Sequence, residues 1–265
     1  MGTGMGAVMG TALGAVRVVG GRLGLPVDDL AVLKDGSNLL VHLRPAAVVA
    51  RVGAVTASVR GDVFGHFARA DELSRFLAGR GVPVVAPVAA PVREGGWVVA
   101  LAEHVPHQAE RTLDSTTFAA LLRELHQELA HFTGDLPARG PLDDIDAVLA
   151  LLSRPADLVA ERDAVAAGWP ELPVQALHGD AHPHNVLFTA GGPVWNDFED
   201  AWRGPVGWDV ACAADSRLLD RAAVQRAYPA ELLDHWIGVR RLLVRCWVAA
   251  TDRYRAAPPS PSPSP

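Results

Sequence analysis

Apolar residues cluster in short runs over the first hundred positions, then recur every three or four residues over most of the remaining chain. Two apolar runs, 38–43 and 47–52, flank Arg44-Pro45-Ala46 and predict a strand hairpin. Over 61–79, Phe64, Phe67, Ala68, Leu73, Phe76 and Leu77 keep helical intervals and meet Gly79 and Gly81, which predicts an amphipathic helix with a glycine stop. Residues 82–92, with three prolines, and 97–102, after the Gly95-Gly96 turn, predict two more strands of a small antiparallel sheet. This order assigns 1–102 to a first lobe, with 103–106 as a hinge, because Pro106 disfavours helix in the residue before it. A second, mostly helical lobe over 107–255 follows. Its predicted helices are 116–132, with Phe118, Leu121, Leu122, Leu125 and Leu129 in phase, then 143–167 broken near Pro155, 208–219, 222–228 and 231–254. Within it, 186–188 and 194–196 flank a Gly-Gly-Pro turn and predict a second hairpin. The Pro/Ser-rich end, 256–265, reads as an extended disordered tail. No internal repeat is visible.

The totals narrow the class. A chain of 265 residues with 49% hydrophobic and 20% charged residues reads as an ordinary globular protein of one large domain or two lobes. The apolar stretch at 6–16 is short, glycine-rich and preceded by no basic residue, so it predicts an initial helix or an unstructured leader rather than a signal peptide; no membrane span is expected. The cysteines, Cys212 and Cys246, are too few for a disulfide framework, which fits a reducing cytoplasm. The net charge of -6 is uneven: residues 1–102 carry 10 Lys+Arg against 7 Asp+Glu, and 103–265 carry 14 against 23. A phosphate-binding first half and an acidic second half that attracts metals and a cationic acceptor fit this split, although solvated helix faces explain it equally well. No basic, aromatic-rich stripe suggests nucleic acid.

The candidate chemistry lies in His178-Gly179-Asp180-Ala181-His182-Pro183-His184-Asn185 and Asn196-Asp197-Phe198-Glu199-Asp200. An Asp five residues before an Asn is the spacing of a kinase catalytic loop, where the Asp receives a hydroxyl proton and the Asn holds a metal. Asp180 is thus the expected base, while Asn185 and Asp197, brought together by the intervening hairpin, would seat Mg2+. His178 is expected to brace the loop. His182 and His184, with His178 and Asp180, raise the rival reading of a metallohydrolase site, which leaves Asn185 and Asp197 unexplained. Glu199 and Asp200 would serve a second metal or the loop's own bonding. Arg240, Arg241 and Arg245 read as a solvated helix face, with an anionic substrate as the alternative use. Gly2-Thr3-Gly4-Met5-Gly6 follows no strand and supports no dinucleotide fingerprint.

His178-Gly179-Asp180 through Asn185, Asp197-Phe198-Glu199, Gly204-Pro205 and Asp209-Val210-Ala211 resemble, in order and spacing, the aminoglycoside phosphotransferase and choline kinase family. The resemblance covers nearly the whole chain. It implies an α+β, protein-kinase-like fold: a small N-terminal lobe of antiparallel sheet plus helix and a larger, mostly helical C-terminal lobe. It also implies transfer of a phosphoryl group from ATP or GTP to a hydroxyl of a small molecule, with the acceptor drawn from antibiotics, amino alcohols, amino acids or sugars. By the same resemblance, Gly36, Ser37 and Asn38 form the short nucleotide loop, and Glu103, His104 and Val105 are the hinge residues that meet the nucleotide. Arg51 stands where the kinase pattern has a lysine, with Glu72 as its carboxylate partner, and Asp209 secures the catalytic loop. The departure at Arg51 motivates a second reading, a catalytically impaired nucleotide-binding protein.

Overall fold

The computed structural model describes residues 3–108 and 111–256. In the first lobe, α1 (Thr3–Arg22) precedes the strands β1 (Asp29–Asp35), β2 (Asn38–Arg44) and β3 (Val48–Gly53). Then come α2 (Val55–Val59), α3 (Val63–Gly79), β4 (Pro87–Glu94) and β5 (Trp97–Glu103). The strands make one antiparallel sheet in the order β1-β2-β3-β5-β4. Alternation in β2 and β3 turns Leu39, Val41, Leu43, Val48, Ala50 and Val52 to one face, where Ala12, Ala15, Val16 and Val19 of α1 cover them. Each such valine or leucine removed from water contributes roughly 1.5–3 kcal/mol. Val63 and Phe67 of α3 pack with Val98 of β5. The Asp62 carboxylate accepts the Gly65 N–H at 3.0 Å and so caps α3.

The second lobe holds α4 (Ser115–Leu129), α5 (Gly140–Leu151), α6 (Ala156–Ala167), β6 (Gln175–Leu177), β7 (Val186–Thr189), β8 (Gly192–Trp195) and β9 (Trp202–Gly204). The helices α7 (Gly207–Ala214), α8 (Arg221–Ala227) and α9 (Leu233–Ala256) close the chain. Asp114 caps α4 by accepting the N–H groups of Thr116 and Thr117, each at 3.0 Å. The face of α4 that bears Phe118, Leu122, Leu125 and Leu129 is buried with Leu177, Phe188, Trp195, Trp208 and Trp236. Trp195 also joins the lobes: its N–H donates to Pro83 O and its carbonyl accepts the Val85 N–H, both at 2.9 Å.

The architecture, a sheet lobe followed by a helical remainder, is the one the sequence predicts. Two elements of the first lobe depart from the expected pattern. β1 was not anticipated: its apolar run, Leu30-Ala31-Val32-Leu33, is short and flanked by charged residues, and at the sheet's edge most of its residues are exposed. The short α2 shows no helical period of its own; the Thr56 N–H is tied to Ser37 O at 3.1 Å. The expected break near Pro155 separates α5 from α6, and Pro155 takes the N-cap position of the latter. The region at 6–16, expected to be a helix or an unstructured leader, is helical within α1. Gly2 and, apart from Ala256 at the end of α9, the predicted tail lie outside the described residues. No helix among the described residues is long and apolar enough to cross a membrane.

Candidate active site

The loop from His178 to Asn185 leaves β6, closes in a short 3-10 turn at Pro183–Asn185 and enters β7. Its shape is set by Asp209, fully buried in the first turn of α7. Asp209 Oδ2 accepts the His178 N–H and Oδ1 accepts the Gly179 N–H, both at 2.9 Å. Oδ2 also takes a hydrogen bond from His126 Nε2 at 3.0 Å, and Nδ1 of that ring accepts the Tyr228 hydroxyl at 2.8 Å. Gly179 has φ +87°, and a Cβ there would stand 1.8 Å from the Asp200 carbonyl oxygen, so only glycine fits. His178 is buried: Nδ1 accepts the Asp180 N–H at 3.3 Å and Nε2 donates to Asn196 O at 3.0 Å. These bonds specify the neutral ring, and burial lowers the pKa of His178 accordingly.

Donors meet both oxygens of Asp180. Oδ2 receives His182 Nε2 at 3.0 Å and Asn185 Nδ2 at 3.2 Å, and Oδ1 receives Arg240 Nη1 at 2.7 Å. Burial pushes the Asp180 carboxyl up, but the His182 hydrogen bond and the Arg240 charge outweigh it and hold the group well below the usual carboxylate range. Asp180 is therefore ionised at any physiological pH. The ring of His182 is spent locally, since its Nδ1 accepts the His184 N–H at 3.2 Å.

Across the cleft, Arg51 on β3 pairs with Asp197 and, at 2.9 Å, with Glu199 Oε2. Asn38 Nδ2 donates to both oxygens of Glu199, at 2.9 and 2.7 Å, while its own Oδ1 accepts the Thr56 hydroxyl. Burial and then the charge of Asp197 raise the Glu199 pKa. One guanidinium, Arg51, thus pairs with two adjoining carboxylates. Arg60 joins the lobes: Nε and Nη2 donate to the two oxygens of Asp144, at 3.0 and 2.6 Å, and Nη2 also reaches Asp200. These groups surround a cavity of about 420 Å³ between the sheet and the helical lobe. Lys34 and Ser37 lie on its sheet side, and Trp202, Leu243, Val244 and Trp247 on its helical side.

The cavity gathers Asp180, Asn185, Asp197, Arg51, Ser37 and Asn38. The other expected positions take partners of their own or lie outside the cavity. Glu72 is not the partner of Arg51: it is exposed on α3 against Gly134, because the inward face of that helix presents Asp71 and Ser74 to the space behind Arg51. Gly36 spends its N–H on Asn38 O within the turn, at 3.2 Å, and Asn38 turns to Glu199 rather than to open space. Glu103, His104 and Val105 do not line the cavity; the N–H groups of Glu103 and His104 donate to Ala86 and Ala47, both at 2.9 Å, as β5 stays zipped to its neighbours. Asp209 accepts the N–H groups of His178 and Gly179 and so holds the His178–Asn185 loop. Arg240 is not on a solvated face, although Arg241 and Arg245 are, paired with Asp215 and Glu161. The histidines do not converge, and among the described residues no cluster of three His, Cys, Asp or Glu side chains is arranged to hold a metal. Arg60, Asp144, Thr56 and Lys34 escaped the sequence reading; Lys34 alone carried a signal, as the single lysine of the chain.

A model of the phosphotransferase enzyme family matches residues 55–242, more than half of the chain. The chain belongs to this family. A search of curated proteins gives no match to this phosphotransferase. Solved structures do resemble it. An aminoglycoside-3'-phosphotransferase of type VIII is 19% identical with a TM-score of 0.67, over 89% of this chain and 98% of that one. A choline kinase from Streptococcus pneumoniae is 15% identical with a TM-score of 0.62, over 90% and 91%. An amicoumacin kinase in complex with AMP-PNP and Ca2+ is 12% identical with a TM-score of 0.58, over 90% and 79%. At these identities the likeness establishes the fold, and it is the kinase-like fold that the motifs imply.

Proposed function

We propose that this phosphotransferase moves the terminal phosphoryl group of ATP or GTP to a hydroxyl of a small molecule, with Asp180 as the base. The observation that carries the reading is the convergence of Asp180, Asn185, Asp197 and Glu199 on one cavity that also holds Arg51 and Lys34. The acceptor oxygen attacks the terminal phosphorus, the bond to the bridging oxygen breaks, and the nucleoside diphosphate leaves with the electron pair. The hydroxyl proton passes to Asp180. A carboxylate held so far below neutral is a weak base, so its main work is to orient the hydroxyl, which suits a transfer in which proton movement comes late.

The donor set suits Mg2+: Asp197, Glu199 and the Asn185 amide offer hard oxygens, and burial, then the charge of Asp197, raise the pKa of Glu199, penalties on its ionised form that a bound cation would offset. When bound, Mg2+ would neutralise charge on the phosphates. Arg51 and Lys34 supply the remaining positive charge, with Ser37 at the turn between β1 and β2. The AMP-PNP and Ca2+ held by the amicoumacin kinase of similar fold support a nucleotide donor and a hard divalent ion here. A second reading, an impaired nucleotide binder, draws on Arg51, whose guanidinium is engaged by Asp197 and Glu199.

Calorimetry with ATP and GTP, each with Mg2+ or chelator, separates the readings. Binding that depends on Mg2+ and is lost in Asp197→Ala is expected, followed by turnover that Asp180→Ala abolishes while nucleotide still binds. Nucleotide binding without turnover of any hydroxyl acceptor favours the impaired protein. Absence of nucleotide binding overturns both.

A further inference from the structure

A hydroxyl that approaches Asp180 must contend with the donors already on that carboxylate. His182 and Asn185 belong to the same loop and move with it. Arg240 does not: it comes from the N-terminal third of α9, and it lies on the helical side of the cavity with Leu243, Val244 and Trp247. Its Nη1 is shared between Asp180 Oδ1 at 2.7 Å and Cys212 Sγ at 3.0 Å. Among the described residues Nε and Nη2 make no hydrogen bond, yet neither is sealed from solvent. The side chain is only 13% exposed. A hydroxyl that takes over Asp180 Oδ1 would therefore leave a largely desolvated guanidinium short of a counter-charge, an unfavourable exchange unless the acceptor itself brings an anion.

We propose that the acceptor is a small hydroxy acid, whose hydroxyl meets Asp180 while its carboxylate, a few bonds away, takes the open donors of Arg240. This rests on the phosphotransferase reading and names its substrate class. The acidic balance of the second lobe as a whole favours a cationic acceptor, but the charge that an acceptor meets beside the base is the guanidinium. Two adjacent N–H groups in one plane match a planar carboxylate in a bidentate pair. A monoanion suits the site better than a phosphate ester. Asp144, Asp197, Glu199 and Asp200 already outnumber Lys34, Arg51 and Arg60 around the cavity, and the nucleotide's phosphates add further negative charge. The cavity of about 420 Å³ must take the phosphate tail and the acceptor together, which favours an acceptor of a few carbon atoms, with Val244 and Trp247 against its chain.

The test is calorimetric binding at saturating MgADP. The probes are glycolate, glycerate, serine and 4-hydroxybutyrate, beside ethanolamine, choline and kanamycin, with Arg240→Gln and Arg240→Lys compared to the native chain. At least one acid is expected to bind and to be phosphorylated when MgATP or MgGTP replaces MgADP. Its affinity should fall about 10- to 100-fold in Arg240→Gln, as for loss of a charged hydrogen bond, and recover in part in Arg240→Lys. Binding of MgADP to each variant serves as the reference. The proposal is overturned if the cations bind and the acids do not, if no acid binds, or if acid affinity is the same in Arg240→Gln. It is also overturned if Arg240→Gln weakens MgADP as much as the acid, because Arg240 would then serve the phosphates. If the native chain binds no nucleotide, the phosphotransferase reading has failed instead. The acid panel without nucleotide then decides separately, with Arg240-dependent binding supporting the carboxylate site and its absence overturning it.

Discussion

Removing the Arg60 side chain probes the contact that joins the sheet lobe to the loop of Asp200 and to α5. The guanidinium is 4% exposed and its partner Asp144 is 11% exposed, so both charges have left water and are compensated by each other. Arg60→Met keeps the aliphatic reach but leaves Asp144 and Asp200 facing each other without a cation, and it removes the guanidinium that lies 5.2 Å from the Trp247 ring centre. Breaking a buried pair from one side costs about 3–5 kcal/mol. For a chain of this size that corresponds to a fall in Tm of about 6–20 °C. The deficit should depend on pH. Carboxylates that lose their counter-charge titrate upward, so the penalty is largest at about pH 8 and shrinks towards about pH 5, where protonation relieves it. In Arg60→Met/Asp144→Leu the pair is gone from both sides and most of the loss should be recovered, since Asp200 alone remains and its carboxyl, which burial raises to about 7, can take up a proton. Calorimetric melts of the native chain, the single variant and the double variant at both pH values decide the matter. A single variant within about 1 kcal/mol of the native chain, or a double variant no more stable than the single one, would refute the reasoning.

Gly179→Ala places a methyl group 1.8 Å from the Asp200 carbonyl oxygen at φ +87°, so a loss above about 3 kcal/mol, together with loss of Mg-nucleotide binding, is expected; a melt indistinguishable from that of the native chain would count against it. Burial, reinforced by the charges of Glu199, Asp180 and Asp144 and opposed by Arg60, raises the Asp200 carboxyl from 3.8 to about 7. The folded chain then binds this proton more tightly than the unfolded one, so this group's contribution to stability declines as pH rises from about 4 to 7, and Asp200→Asn should remove that decline. Denaturant midpoints of the two chains that run parallel across this range would contradict the assignment.

The amino-acid order by itself determined the elements that depend on neighbours in sequence. The strands β2 and β3 follow from alternation, α3 and α4 from apolar residues in helical phase, and their starts from Asp62 and Asp114 within one turn of the amides they cap. Asp180 and Asn185 were legible for the same reason: five residues of one short loop bring the Asn185 amide to the Asp180 carboxylate at 3.2 Å. The partners of Arg51, Arg60 and Arg240 were not legible. Arg51 meets carboxylates 146 and 148 residues away, Arg60 meets them 84 and 140 residues away, and Arg240 meets Asp180 across 60. At such separations the side chain's type says that it needs a counter-charge without saying which one, because the path between them is set by how the lobes pack. By the resemblance, Glu72 on the helix that follows Arg51 was its expected partner, but packing turned Asp71 and Ser74 inward instead. Arg240 looked like one of three surface arginines on a helix. Only the docking of α9 against α7 and the loop of Asp180 singled it out, because the depth of a position along a helix face is decided by the element packed over it.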